Sequence, residues 1–126
     1  MPKRKIDEFA EEREQLNDIV MQYAGRDIKR FYNLDTRVYE TGALPAQTKE
    51  LLGLVASLVL RCDDCVNYHL IRCREEGVSA EALEEALAVG LIVGGSIIIP
   101  HLRRAFRTWD ELEADGNIDT SERQGG

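Results

Sequence analysis

The stretch "ELLGLVASLVLRCDDCVNYHLIRC", residues 50–73, decides the fold. Its first half continues an apolar helix that Pro45 can start, interrupted only by Gly53. Its second half sets Cys62, Cys65, His69 and Cys73 at i, i+3, i+7 and i+11, one stripe of a second helix. Between them, the polar residues Arg61 to Asp63 mark a break, and Asp63 or Asp64 can cap the second helix. Two helices joined this closely fold back as an antiparallel hairpin. A residue eleven before the turn then lies opposite one about eleven after it, so Glu50 faces the region of His69 to Cys73.

Outward from the hairpin, every segment reads as helix. Phe9, Leu16, Val20 and Tyr23 recur at helical spacing in a first helix that Gly25 ends. "RDIKRFYNLDTRVYETG" makes one or two short helices, with Asp35 a candidate cap. After Gly77, Ser79 caps a strongly apolar helix through "ALAVGLIVGGSIIIP", which reads as a buried core segment. Pro100 restarts a last helix with Leu102, Ala105, Phe106, Trp109 and Leu112 on one stripe and Arg103, Arg104 and Arg107 facing away. The expected architecture is an all-α bundle of about five to seven helices around the central hairpin. It forms one domain over residues 1–114, and the apolar-poor tail 115–126 is expected to be disordered.

Bulk properties narrow the partners. A net charge of −7 and a pI near 4.9 repel phosphate backbones, so nucleic acid is not an expected partner. The apolar run from Ala86 to Pro100 is too short to cross a bilayer, so no membrane association is expected either. The start "PKRK" lacks a secretory pattern, and the cytoplasm is the expected compartment. Three cysteines in such a chain do not make a secreted disulfide framework.

The sulfur-rich helix admits three readings. A closed zinc site needs four ligands at one point, yet the helix rises about 16 Å from Cys62 to Cys73. One ion cannot collect all four, and a site drawing on a ligand from elsewhere would have only His101 as a second histidine. A redox reading asks for two thiols one turn apart, one of them activated as thiolate. Helix-start amides favour charge on Cys62, whereas His69 lies one turn beyond Cys65 and can take its proton. Cys65 is then the nucleophile, Cys62 its resolving partner, and Glu50 the group that orients His69. In the third reading the cysteines simply pack, which is the expectation for Cys73. Tyr68 and Asn67 read as surface or packing residues, and His101 as a capping or interface residue.

Glu50, eleven intervening residues and "CDDCVNYH" resemble the Glu-x11-Cys-x2-Cys-x3-His pattern of the alkylhydroperoxidase D (AhpD)-like branch of the carboxymuconolactone decarboxylase family. The likeness extends from "GALPAQTKELLGLVASLVLRC" through "GVSAEALEEALAVGLIVGGSIIIPHLRRAF". It implies an all-helical domain assembling as a homo-oligomer, a trimer or hexamer. It also implies a thiol-dependent peroxidase in which Cys65 attacks a small-molecule hydroperoxide, Cys62 resolves the product, and Glu50 and His69 relay the proton. No metal or cofactor is called for, and electrons come from a dithiol or protein donor. Asp64 departs from the pattern, since that branch often carries a histidine there, and a carboxylate disfavours a neighbouring thiolate. The alternatives are a decarboxylase acting on a lactone acid, which needs no cysteine pair, and a non-enzymatic oligomer or partner-binding module. Gly90, Gly94 and Gly95 would suit the close helix approach of the last.

Overall fold

The computed structural model describes residues 3–125, with side chains as far as Asp115. Six α-helices follow in chain order: α1 (Lys5–Tyr23), α2 (Arg26–Val38), α3 (Ala46–Val59), α4 (Asp63–Glu75), α5 (Ala80–Gly94) and α6 (Ile99–Gly125). A short 3-10 turn, Ser96–Ile98, joins the last two. The described residues contain no strand, and the all-α expectation holds. The tail boundary expected at residue 115 falls where side chains lie outside the described residues. None of these helices is long and apolar enough to cross a membrane.

The α3–α4 hairpin is the centre of the fold. Leu54 and Leu58 of α3 meet Val66, Leu70 and Cys73 of α4; Leu83 and Leu87 of α5 and Ala105 and Trp109 of α6 close the same core. Each of these side chains is at least 95% removed from solvent, so their apolar area supplies the main driving force for packing. The tight turn between α3 and α4 places Arg61 at φ 61°, a left-handed conformation rare outside glycine. That strain is offset by the backbone bonds Arg61 N to Leu58 O and Cys62 N to Ser57 O, both 3.0 Å.

Three local expectations are corrected. Asp35 does not cap a second short helix but sits inside a single α2, because the run from Arg26 to Val38 contains no breaker. The cap of α4 is Cys62, whose sulfur accepts from the Cys65 amide, and Asp63 and Asp64 occupy the first turn instead. The apolar run of α5 is buried along only one face: Leu83, Leu87 and Gly90 face the core, while Val89, Ile92 and Val93 are open to solvent. Ser79 caps α5 as expected, accepting from the Ala82 amide at 3.1 Å.

Candidate active site

α3 and α4 run antiparallel, and this brings Glu50 to His69. Glu50 Oε2 lies 2.9 Å from His69 Nδ1, with Glu50 only 1% exposed. The second oxygen, Oε1, faces Arg72 Nε at 3.6 Å. A carboxylate so completely removed from water is tolerated because both of its oxygens face a donor. By accepting from Nδ1–H, Glu50 selects the tautomer that leaves the lone pair on Nε2. That nitrogen stands 3.5 Å from the Tyr39 hydroxyl. Burial, ahead of the charges of Asp35 and Glu50, raises the Tyr39 pKa, so the phenol stays protonated and can donate to Nε2.

Room for the imidazole comes from Gly53, one turn beyond Glu50. A Cβ there would stand 2.7 Å from His69 Cε1 and 2.8 Å from the Tyr39 hydroxyl oxygen. The glycine that looked like a mild helix breaker is the floor under the histidine. Neither its role nor that of Tyr39 carries a sequence signal, because both depend on how the α2–α3 corner packs.

The two cysteines of the motif occupy different environments. Cys62 is half-buried at the head of α4, and its Sγ accepts from the Cys65 amide at 3.3 Å. Cys65 is exposed on the wall of a cavity of about 420 Å³. Tyr68, His69 and Asp64 line the same cavity from α4, and Asp35 does so from α2. α1 closes it with Phe9, Glu12, Arg13, Leu16 and Asn17, and Arg13 stacks over the Tyr68 ring at 4.1 Å. Tyr68 is therefore part of the cavity and not a plain surface residue. Phe9 and Leu16, which recur at helical spacing in the first helix, line this space.

The thiols are free in this structure. Burial pushes the Cys65 thiol up to about 11, helped by the hydrogen bond and charge of Cys62 and by the charge of Asp64. At neutral pH roughly one molecule in ten thousand then carries the thiolate at rest. Among the described residues no hydrogen bond joins Cys65 to His69; the two share the cavity. Cys73 lies fully buried in the core, where desolvation raises its pKa to about 12. It takes no part in the site.

A second polar cluster ties the motif to α6. Asp63 accepts from His101 Nδ1 at 2.8 Å and from Arg104 Nε at 2.7 Å. Burial opposes ionisation of Asp63, but those two hydrogen bonds outweigh it and hold its pKa below the usual value. Arg104 therefore turns inward, against the expectation that it faces away, because Asp63 offers it a partner. Asn67 likewise has a specific role, accepting from the Thr108 hydroxyl at 2.8 Å.

The model of the carboxymuconolactone decarboxylase family matches residues 28–110. The chain belongs to the carboxymuconolactone decarboxylase family. Its hairpin, dyad and both motif cysteines all fall inside the matched region, whereas α1 lies before it. Two crystal structures of one Thermotoga maritima protein superimpose closely. One has a TM-score of 0.85 at 54% identity over 87% of this chain and 96% of that one. The other has a TM-score of 0.79 at 52% identity over 94% and 95%. The Thermotoga protein is a carboxymuconolactone decarboxylase family protein for which a part in an antioxidative response has been suggested. A family member from Legionella pneumophila shares the fold at a TM-score of 0.81 and 19% identity, covering 87% of this chain and 98% of that one. An uncharacterised protein of Cupriavidus necator is 32% identical over 75 residues, 60% of this chain and 66% of that one.

Proposed function

We propose that the protein is a thiol-dependent peroxidase and disulfide oxidoreductase working through Cys65 and Cys62. The observation that carries this reading is the buried Glu50–His69 pair, 2.9 Å apart, whose imidazole member lines the same cavity as the exposed Cys65. A dyad of this kind fixes the imidazole with Nε2 as its proton-accepting nitrogen, which is what a thiol with a raised pKa requires. The antioxidative role suggested for the Thermotoga maritima relative, 54% identical, points the same way.

In this cycle the Tyr39 hydroxyl turns away from His69 Nε2, and a water in the cavity carries the Cys65 proton to that nitrogen as the thiolate attacks the terminal oxygen of a hydroperoxide. An S–O bond forms, the O–O bond breaks, and the alcohol leaves with a proton returned from the imidazolium. The Cys62 sulfur then attacks the Cys65 sulfenic acid, an S–S bond forms, the S–O bond breaks, and the departing hydroxide takes the Cys62 thiol proton and leaves as water. A dithiol donor restores both thiols by exchange, itself becoming a disulfide. We propose the reducing cytoplasm as the compartment of this cycle.

Titrating the reduced protein with peroxide while counting thiols tests the reading. One equivalent should consume two thiols and join Cys62 to Cys65, and Cys65→Ser should abolish the reaction. Thiols that stay free in the folded protein would remove the peroxidase assignment.

We propose also that the chain works as a homo-oligomer, a trimer or hexamer. Supporting this, α2 buries none of its residues, and its apolar Ile28, Phe31, Leu34 and Val38 stand open to solvent. Four large apolar side chains left open along one helix are more than an isolated chain ordinarily keeps. Light scattering that returns the mass of a single chain at micromolar concentration would exclude assembly.

A further inference from the structure

The cavity at Cys65 has an outer wall that the family match leaves out. α1 ends at Tyr23, before the match begins at residue 28, yet it supplies Phe9, Glu12, Arg13 and Leu16 to the lining. Across from it stand Asp64, one residue from the thiol, and Asp35 of α2. Three carboxylates thus surround an opening that contains a single guanidinium, and Arg13 is held against the Tyr68 ring. A cleft lined by one sign of charge focuses the field and changes the local concentration of charged ligands by about tenfold or more. The net charge of −7 on the whole chain acts in the same direction.

We infer that Glu12, Asp35 and Asp64 form a charge filter at the mouth of the Cys65 cavity, admitting uncharged or cationic ligands with an apolar part and turning away carboxylates and other anions. Phe9 and Leu16 supply the apolar surface on which an admitted ligand rests. The inference rests on the proposed function for one point only, that Cys65 is the thiol the ligand must reach. Applied to that function, it selects hydroperoxides and dithiol donors without a carboxylate near the reacting group. It also works against a multiply charged lactone acid as substrate.

The test uses three methanethiosulfonates that differ in charge: sulfonatoethyl (anionic), methyl (neutral) and trimethylammonioethyl (cationic). In each reaction the Cys65 thiolate attacks the sulfenyl sulfur, an S–S bond forms, the sulfinate leaves, and the thiol proton goes to buffer. A Cys62→Ser chain keeps the label from being displaced by the neighbouring thiol, and serine preserves the helix cap. Labelling of Cys65 is followed by mass spectrometry, and each rate is divided by that of a free cysteine peptide. We expect the anionic reagent to fall about tenfold or more behind the cationic one at low salt. The gap should narrow as salt is added and close in Glu12→Gln/Asp35→Asn/Asp64→Asn. Because all three reagents meet the same thiol, their ratio is insensitive to changes in its pKa. A ratio equal to that of the free peptide, or one unmoved by the three substitutions, overturns the filter. Failure of the peroxidase reading is separate: charge discrimination with no peroxide oxidation leaves the filter standing, and peroxide oxidation with a flat ratio removes only the filter.

Discussion

Gly53 lies directly beneath the His69 ring, so close that a β-carbon at 53 would stand 2.7 Å from Cε1. Glycine in a helix interior costs about 1 kcal/mol relative to alanine, so its presence in α3 is an expense borne for space. Gly53→Ala should therefore leave the helices formed and the melting temperature little changed, because propensity gained offsets strain. It should displace the imidazole from between Glu50 and Tyr39 and slow Cys65 oxidation by about tenfold or more, read by stopped-flow peroxide kinetics. An unaltered rate in a folded Gly53→Ala protein would mean that the position of His69 does not matter to the thiol.

Glu50→Gln keeps the volume of the buried side chain and removes its charge. The His69 tautomer is then no longer dictated, and Arg72 loses its inward partner at 3.6 Å. We expect a loss of about 1–3 kcal/mol in stability by denaturant titration, together with a larger loss in oxidation rate than any surface Glu→Gln control shows. His69→Gln should give a similar rate, and the double variant little more, since the two residues act as one unit.

Asp64 contributes to holding the Cys65 thiol at about 11. Replacing it with asparagine removes a charge that opposes the thiolate, so the midpoint of the iodoacetamide rate against pH should move downward from that value. Oxidation near neutral pH should then become faster. Asp64→His should move the midpoint by a similar amount, because an imidazole is uncharged in the pH range where this thiol ionises. A midpoint that rises in either variant would contradict the electrostatic account of this position.

Alkaline stability should report Cys73. Its thiol ionises near 9 when unfolded and is raised to about 12 by burial in the fold, so the folded state favours the protonated form. The stability this gives is complete below about pH 9 and is lost as pH rises towards 12. Tyr39 and Tyr68, raised mainly by burial, add to the same decline. Melting temperatures measured between pH 8 and pH 11 should fall less steeply in Cys73→Ala than in the parent chain, even though the variant starts lower because of the small cavity it leaves.

The approach of Glu50 to the region of His69 to Cys73 is legible in the sequence, because a hairpin closing at Arg61 sets residues at similar distances on either side of the turn opposite one another. The separation of Cys73 from the motif is legible too, from helical rise alone. Contacts between elements distant along the chain are not. Nothing in the pattern of α6 announces that His101 and Arg104 converge on Asp63, 38 and 41 residues earlier. Tyr39 and Gly53 meet His69 because of a corner whose geometry no periodicity encodes. The periodicity of α1 gives its helix but not what covers its apolar stripe; only Ile6 of that helix is buried, and Phe9 and Leu16 face the cavity. An apolar face says that something covers it, and leaves open whether that is protein or ligand.

The Glu50–His69 bond spans only 19 residues of chain, whereas the contacts that hold α1 in place include Arg4 to the Glu111 carbonyl, 107 residues away. Short loops close quickly and long ones late, so the hairpin belongs to the part of the fold that assembles first and α1 to the part that docks last. Partial opening should follow the reverse order, releasing α1 while α3 and α4 stay paired. Amide exchange would then show a gradient across the site: slow at the dyad, fast along the wall, with the chemistry anchored in the most persistent unit of the molecule and access to it regulated by one of the least.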